Sequence, residues 1–359
     1  MRHAGSARGQ NGRKERFAMT EEAVKMLMQL NKEGFDTAVK RYELLRAISY
    51  VQPVGRRQLA LYTGRTEREV RAECEALRAS GLLRVESAGM IVSRSGYRLL
   101  EELEETVRVL TSAQQPEQEL VQKYGIMRAD IVSGDSDAHS LVRRDIGLCA
   151  AMQMRQYMKE YHTFALTGHE IVGLMADGGY PPDCGRGAVL YPARTAQMNK
   201  EDTGANSNCA RLGRKSGAEY KLLHLGSNPS LNELERRYHE PDVTHIVAAV
   251  ENADILVSGI TPLEKSQLFA SMSVRAQDLL MQSSPCCELL GSFIREDGRQ
   301  INNPPLYSLS VDEIARFRVF LLLASGARET AGIRAMIRRF SNVHLVTDEK
   351  TAKALLEYE

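Results

Sequence analysis

Residues 164–180 read FALTGHEIVGLMADGGY: an apolar run, a Thr-Gly turn, then apolar residues at helical spacing. The outline is that of a β-strand passing through a tight turn into an α-helix. In α/β proteins such a turn is a seat for anions, because the first backbone N–H groups of the helix are unpaired and the positive end of its dipole lies there. Thr167 and Gly168 suit that role, whereas His169 and Glu170 stand where glycines and hydroxyls would serve it better. Six other apolar stretches of strand length punctuate the chain: ADIVSGD (129–135), GAVLYPAR (187–194), AEYKLLHLG (218–226), NADILVSGI (252–260), RFRVFLLLASG (316–326) and NVHLVTDE (342–349). Helical patterns separate them, which predicts a mostly parallel sheet covered on both faces, a Rossmann-like α/β domain. No GxGxxG opens any of its helices, so the usual dinucleotide fingerprint is missing.

Ligands of open parallel sheets bind beyond the C-terminal strand ends. The residues to watch are therefore Ser133-Gly134-Asp135, Thr167-Gly168-His169-Glu170, Pro192-Ala193-Arg194, Ser258-Gly259-Ile260-Thr261 and Ser325-Gly326-Ala327-Arg328-Glu329. Repeated Gly with Ser or Thr suits phosphorylated sugars, whose oxygens need N–H and hydroxyl donors. Arg194 is the natural fixed cation of the set, with a surface salt bridge as its plain alternative. His169, Glu170 and Asp135 could together form an acid/base site, although a lone His-Glu dipeptide is a weak signal.

Upstream, residues 38–97 carry a net charge of +5 while residues 98–359 carry −6, so any polyanion-binding function belongs at the front. Val39, Tyr42, Leu45 and Ile48 form a helical stripe ended by Pro53 and Gly55. A short helix follows with Leu59 and Tyr62 inward. A third begins at Thr66 with Glu69 as its capping-box partner and turns Val70, Cys74 and Leu77 inward. The segment LLRVESAGMIVS (82–93) reads as a two-stranded wing. This is a winged helix-turn-helix, which would offer Thr66, Glu67, Arg68 and Arg71 to the major groove and Arg56 and Arg57 to phosphates, with Arg84 and Arg94 on the wing. Simple solvation of a small helical domain and protein–protein docking are the alternatives.

Leu100, Leu103, Val107 and Leu110 then repeat at three- and four-residue spacing, the seam of a short coiled coil or of a helix lying on the body. The polar run TSAQQPEQE (111–119) marks a hinge. The expected division is a basic tail and leading segment over 1–37, the winged helix-turn-helix over 38–97, a linker helix and hinge over 98–119, and an effector and oligomerisation domain over 120–359. The basic opening lacks apolar periodicity and reads as a disordered arm or as sequence upstream of a start at Met19.

With 43% hydrophobic and 26% charged residues, the composition excludes a wholly disordered chain. No apolar run nears the roughly 20 residues of a membrane helix, and no signal-peptide pattern opens the chain, so a cytoplasmic protein is expected. Six scattered cysteines without CxxC or Cys/His spacing point to reduced thiols and to no metal or other cofactor.

Taken together, RYELLRAISYVQPVGRRQLALYTGRTEREVRAECEALRASGLL (41–83), DIVSGDSD (130–137), YPAR (191–194), ADILVSGI (253–260) and HLVTDEKTAKALL (344–356) resemble the SorC-type sugar-binding transcriptional regulators. The resemblance covers nearly the whole chain from about Val39. It implies a repressor that binds double-stranded operator DNA as a homodimer or homotetramer, controls carbohydrate or glycolytic genes, and carries an effector domain of sugar-phosphate-isomerase type responsive to fructose 1,6-bisphosphate. It also implies that the protein is not an enzyme. Residue by residue, Thr167 and Gly168 match the start of the family's phosphate loop, Arg194 its pocket arginine and Glu288 its sugar-hydroxyl acceptor. The loop then departs, with His169-Glu170-Ile171 in place of glycine and hydroxyls. A family arginine pair falls on Phe269 and Ala270, and a family lysine on Glu329, beside Arg328. Lost cations and gained acids predict that a bisphosphate is not held in the family's manner, leaving another, less charged sugar phosphate or metabolite, or no effector at all. A sugar-phosphate isomerase is the remaining, enzymatic alternative.

Overall fold

A computed structural model describes residues 31–63, 65–110, 114–138, 140–193, 204–223, 231–302 and 309–358. The chain divides at residue 114 into two units. In the first, α1 (Lys32–Val51) is capped by Asn31, whose side chain accepts from the Gly34 N–H at 2.8 Å. This helix starts inside the stretch that the sequence reading gives to the leading segment. It is followed by α2 (Arg56–Thr63) and α3 (Glu67–Ala79). The α3 start is a complete capping box: Thr66 Oγ1 accepts from the Glu69 N–H at 3.3 Å, and the Glu69 carboxylate accepts from the Thr66 N–H at 2.9 Å. Val70, Cys74 and Leu77 are buried, as their spacing requires. In α2, Leu59 and Ala60 fill the core, while Tyr62 is only half-buried.

The wing is the antiparallel pair β1 (Leu83–Glu86) and β2 (Gly89–Val92). Its placement relies on the turn after α1, since Val54 and Met90 exchange backbone hydrogen bonds of 3.1 and 2.9 Å and Gln52 Oε1 accepts from the Val92 N–H at 2.6 Å. Next comes α4 (Arg94–Leu110). Its Leu100 is fully buried among Tyr42, Leu45 and Ile48, and the Leu100 carbonyl accepts from the Tyr42 hydroxyl. Of the leucine seam, Leu100 belongs to the core of the first unit and Leu103 is exposed, while the Val107 and Leu110 side chains lie outside the described residues. Residues 114–119, read as a hinge, open the helix α5 (Gln114–Tyr124), with Leu120 in the core of the second unit.

The second unit is built on seven parallel strands: β3 (Arg128–Val132), β4 (Thr163–Leu166), β5 (Val189–Pro192), β6 (Glu219–Tyr220), β7 (Ile255–Gly259), β10 (Val319–Leu323) and β11 (Val343–Asp348). They are the seven stretches picked out in the sequence. Their order is β3-β11-β10-β7-β4-β5-β6. Alternating side chains divide between two apolar layers. Phe164, Leu166, Ile255, Val257, Leu321 and Leu323 face α6 (Ser140–Glu160), α7 (Glu170–Ala176) and α8 (Ala205–Ser216). Ala165, Leu256, Phe320 and Leu322 face the other layer, which includes Val243, Ile246 and Val250 of α10 (Pro241–Glu251), after α9 (Leu231–Tyr238). Two short helices, α11 (Gln267–Ser271) and α12 (Val274–Met281), lead to an antiparallel pair that the sequence reading lacks, β8 (Pro285–Leu289) with β9 (Ser292–Arg295). Two helices, α13 (Thr330–Arg339) and α14 (Glu349–Glu357), complete that layer. Among the described residues no helix is long and apolar enough to cross a membrane.

Candidate DNA-binding face and effector crevice

On the first unit, Arg56, Arg57, Thr66, Glu67, Arg68 and Arg71 are all exposed, at the start of α2 and along the first turns of α3. Other basic residues are spent on the fold: Arg65 reaches the Lys40 carbonyl at 3.0 Å and Glu43 at 2.9 Å, and Arg41 pairs with Glu73 at 2.6 Å. Thr66 is also committed, since its hydroxyl donates to Glu69 at 2.7 Å in the cap. Arg71 meets Glu75 at 3.1 Å, but both are well exposed, and a surface pair of this kind contributes only about 0.3–0.5 kcal/mol. It opens readily for another anion. Arg84 and Arg94 are exposed on and beside the wing.

On the second unit, strand order locates the ligand side. The chain steps outward from β4 to β5 and β6, then returns to β7 on the other side of β4. The direction of winding therefore reverses between β4 and β7, and the crevice at their C-terminal ends is the natural binding position. Thr167 follows β4 there and is buried; its hydroxyl donates to Ser258 Oγ at 3.1 Å, and Ser258 donates to the Gly259 carbonyl at 2.9 Å. Asn208, in the first turn of α8, donates to the Thr167 carbonyl at 3.0 Å and the His169 carbonyl at 3.4 Å. Gly168 lies so close to the start of α8 that an added Cβ would stand 2.8 Å from the Ala205 nitrogen. Glycine is the residue that fits.

His169 caps α7, its Nδ1 accepting from the Ile171 N–H at 3.4 Å. Its ring lies directly over Gly259, where a Cβ would come within 2.2 Å of Nδ1. The half-buried imidazole thus occupies the space over the C-terminal end of β7, and Glu170 stands exposed at the helix start. Gly259→Ala should force the ring aside and destabilise the fold by about 1–3 kcal/mol in chemical denaturation. The same change in a His169→Ala background should cost much less; equal losses in both backgrounds would show that the ring does not fill this space.

Glu288 in β8 comes to the same end of the sheet, because its backbone exchanges hydrogen bonds of 2.8 and 3.0 Å with Thr261, two residues beyond β7. Glu288 is 5% exposed, and its carboxylate accepts from Ser266 at 2.5 Å. Ser266 in turn accepts from the Phe269 N–H at 2.9 Å, and the Phe269 ring packs edge-on against Phe293. Phe269 is therefore a packing residue in this place, and Ala270 is exposed. Arg194 lies outside the described residues.

Glu329 corrects the simple charge count. It is 2% exposed, and Arg143 Nη2 donates to its Oε1 at 2.5 Å and to the Ser325 carbonyl at 3.1 Å. The Ser325 N–H donates to its other oxygen at 2.9 Å. The acid is neutralised inside the protein rather than repelling an anion in the crevice. Burial nevertheless pushes its pKa above the ordinary carboxylate value, against the pull of Arg143. Arg143 lies 186 residues away in sequence, and neither periodicity nor motif marks the pair.

Asp135, the third candidate acid/base group, lies three residues beyond β3, a strand four places from β4 in the sheet. At about 4.8 Å per strand this is roughly 19 Å from His169. Lys350 donates to Asp135 at 2.6 Å and holds its carboxyl below the usual value. These groups do not assemble into one acid/base site. Among the described residues no cluster of His, Cys, Asp and Glu is placed to hold a metal.

The family described as "Putative sugar-binding domain" matches residues 109–357, and the "CggR N-terminal DNA binding domain" matches residues 38–107. The chain belongs to the SorC-type family of sugar-binding transcriptional regulators. It is 28% identical over 322 residues to the central glycolytic genes regulator of Bacillus subtilis, covering 89% of this chain and 94% of that protein. The central glycolytic genes regulator of Priestia megaterium is 26% identical over 319 residues, 88% of this chain and 93% of the relative. Among solved structures, the full-length sorbitol operon regulator of Klebsiella pneumoniae superposes with a TM-score of 0.62 at 16% identity, over 89% of this chain and 99% of that one. A SorC-family regulator from Enterococcus faecalis gives 0.59 at 23% identity, over 68% of this chain and all of the other.

Proposed function

We propose that this regulator acts in the cytoplasm as a repressor of carbohydrate or glycolytic genes, binding operator DNA as a homodimer or homotetramer. The DNA reader is the first unit, with Glu67, Arg68 and Arg71 facing base edges and Arg56 and Arg57 facing phosphates, while Thr66 sets the start of α3. Their shared exposure, while Arg41 and Arg65 are consumed by the fold, supports this reading. Gel shifts with fragments from upstream of the neighbouring operon test it, and an absence of binding to all of them would overturn it.

The effector site is the crevice between β4 and β7, with Thr167, Gly168, Glu288 and Arg194 carried over from the family as its residues. Its occupant is a sugar or sugar monophosphate of low charge. The observation that carries this is the His169 ring lying over Gly259, with Glu170 beside it, where the family resemblance places a phosphate. A bisphosphate of about four negative charges would face Glu170 and a loop whose hydroxyl, that of Thr167, is already spent on Ser258. Thermal unfolding should therefore be unmoved by fructose 1,6-bisphosphate at sub-millimolar concentration, whereas any ligand at 100 times its Kd would add about 2.7 kcal/mol. A clear rise in Tm with fructose 1,6-bisphosphate would refute this reading of the crevice.

A further inference from the structure

Cys286 and Cys287 are consecutive in β8, where regular pleating would send their side chains to opposite faces. Their sulfurs are instead 3.9 Å apart. The cause lies in the pairing with β9, which matches Pro285 to Arg295 and Cys287 to Ile294, leaving Cys286 as an extra residue in a bulge. Cys286 is partly exposed, whereas Cys287 is buried against Ile260 and α13, where a Cβ on Gly332 would meet its sulfur at 2.8 Å.

We infer that this pair is a reversible modification site, closed by hydroperoxides to a vicinal disulfide whose formation shifts Glu288. The accessible Cys286 thiolate attacks one oxygen of the peroxide; the O–O bond breaks, an alcohol or water leaves, and the sulfur becomes a sulfenic acid. The Cys287 thiol then attacks that sulfur, the S–S bond forms, and the hydroxyl departs as water with the thiol proton. Two thiols have supplied the two electrons that reduced the peroxide. The contact with Cys287 holds the Cys286 thiol below its usual pKa, while Cys287 itself is pushed up, which matches the order of attack.

Neighbouring Cα atoms are only about 3.8 Å apart, short of the roughly 4.4–6.8 Å of ordinary disulfides, so the closed ring is strained and easily reduced. That suits a transient bond in a reducing compartment. Bringing the sulfurs from 3.9 Å to about 2.05 Å must draw on the strand, and Glu288 is the next residue, tied to Thr261 and Ser266. This inference stands apart from which ligand the crevice takes.

Treatment of the full-length protein with tert-butyl hydroperoxide, followed by alkylation and peptide mass analysis, tests it. The expected product is a peptide spanning 286–287 that lacks two hydrogens, is protected from alkylation and is restored by dithiothreitol; Cys286→Ser and Cys287→Ser should each abolish it. Persistence of two alkylatable thiols, a sulfinic acid at Cys286, or a bridge to another cysteine would overturn the assignment. Hydrogen exchange reads the coupling: protection of the Glu288 and Thr261 amides should change on oxidation and revert on reduction, and unchanged exchange would remove the link to Glu288.

Discussion

Arg143→Met is expected to lower stability by about 3–5 kcal/mol, because it leaves the Glu329 carboxylate buried without its cation. In a domain of this size that corresponds to a fall in Tm of roughly 10 °C. The sign of the pH dependence follows from the raised pKa of Glu329. An acid whose folded pKa exceeds its unfolded one favours folding below the unfolded pKa and loses that contribution as pH rises through the folded value. Without Arg143 the folded pKa climbs further, so the defect should be largest at neutral and alkaline pH and shrink on acidification. Glu329→Gln in the Arg143→Met background should recover most of the loss and flatten the pH dependence. Denaturant melts of the unsubstituted protein and the two variants between pH 5 and 8 would show this; a defect of equal size at all pH values would mean that packing, and not charge, is what Arg143 supplies.

The second large effect concerns DNA. If Arg68 and Arg71 read base edges, each contributes about 1–3 kcal/mol of discrimination, so Arg68→Ala combined with Arg71→Ala should weaken operator binding on the order of 100-fold or more. Arg71 gives up only an exposed pair with Glu75, and both side chains lie outside the core, so the fold should be nearly unaffected. Arg56→Ala with Arg57→Ala should behave differently, weakening all sequences alike and reducing the salt slope by about one for each phosphate that is no longer neutralised. Titrations of specific and scrambled duplexes at several salt concentrations separate the two cases. Equal affinity of the Arg68/Arg71 double variant for its operator would remove α3 as the reading element.

The seven sheet strands were legible because each lies in a short apolar run, five of the seven closing on a Gly beside Ser or Thr, and buried parallel strands look like that wherever they occur. The capping box at Thr66 and Glu69 was legible for the same kind of reason, since both partners lie within one helical turn. What escaped reading depends on chain positions far apart. The His169 ring over Gly259 joins residues some 90 apart, and Arg143 with Glu329 twice that, so nothing local announces either. The β8–β9 pair escaped because a bulge at Cys286 breaks the alternation that marks a half-buried strand. The leucine seam was legible only as a face: three- and four-residue spacing says that one helix face is apolar, but not what covers it. In the structure Leu100 turns to the core of its own unit and Leu103 to solvent.

The Arg143–Glu329 pair also bears on how this end of the sheet tolerates substitution. Loops at one edge of a parallel sheet usually vary freely, since the apolar layers behind them carry stability. Here position 329 is bound to position 143. A lysine at 329 would set a second cation beside Arg143 in a nearly dry site, and losing Arg143 alone would strand Glu329. Each single change is uphill, so the two positions are energetically coupled, and only a paired change avoids leaving an unmatched buried charge.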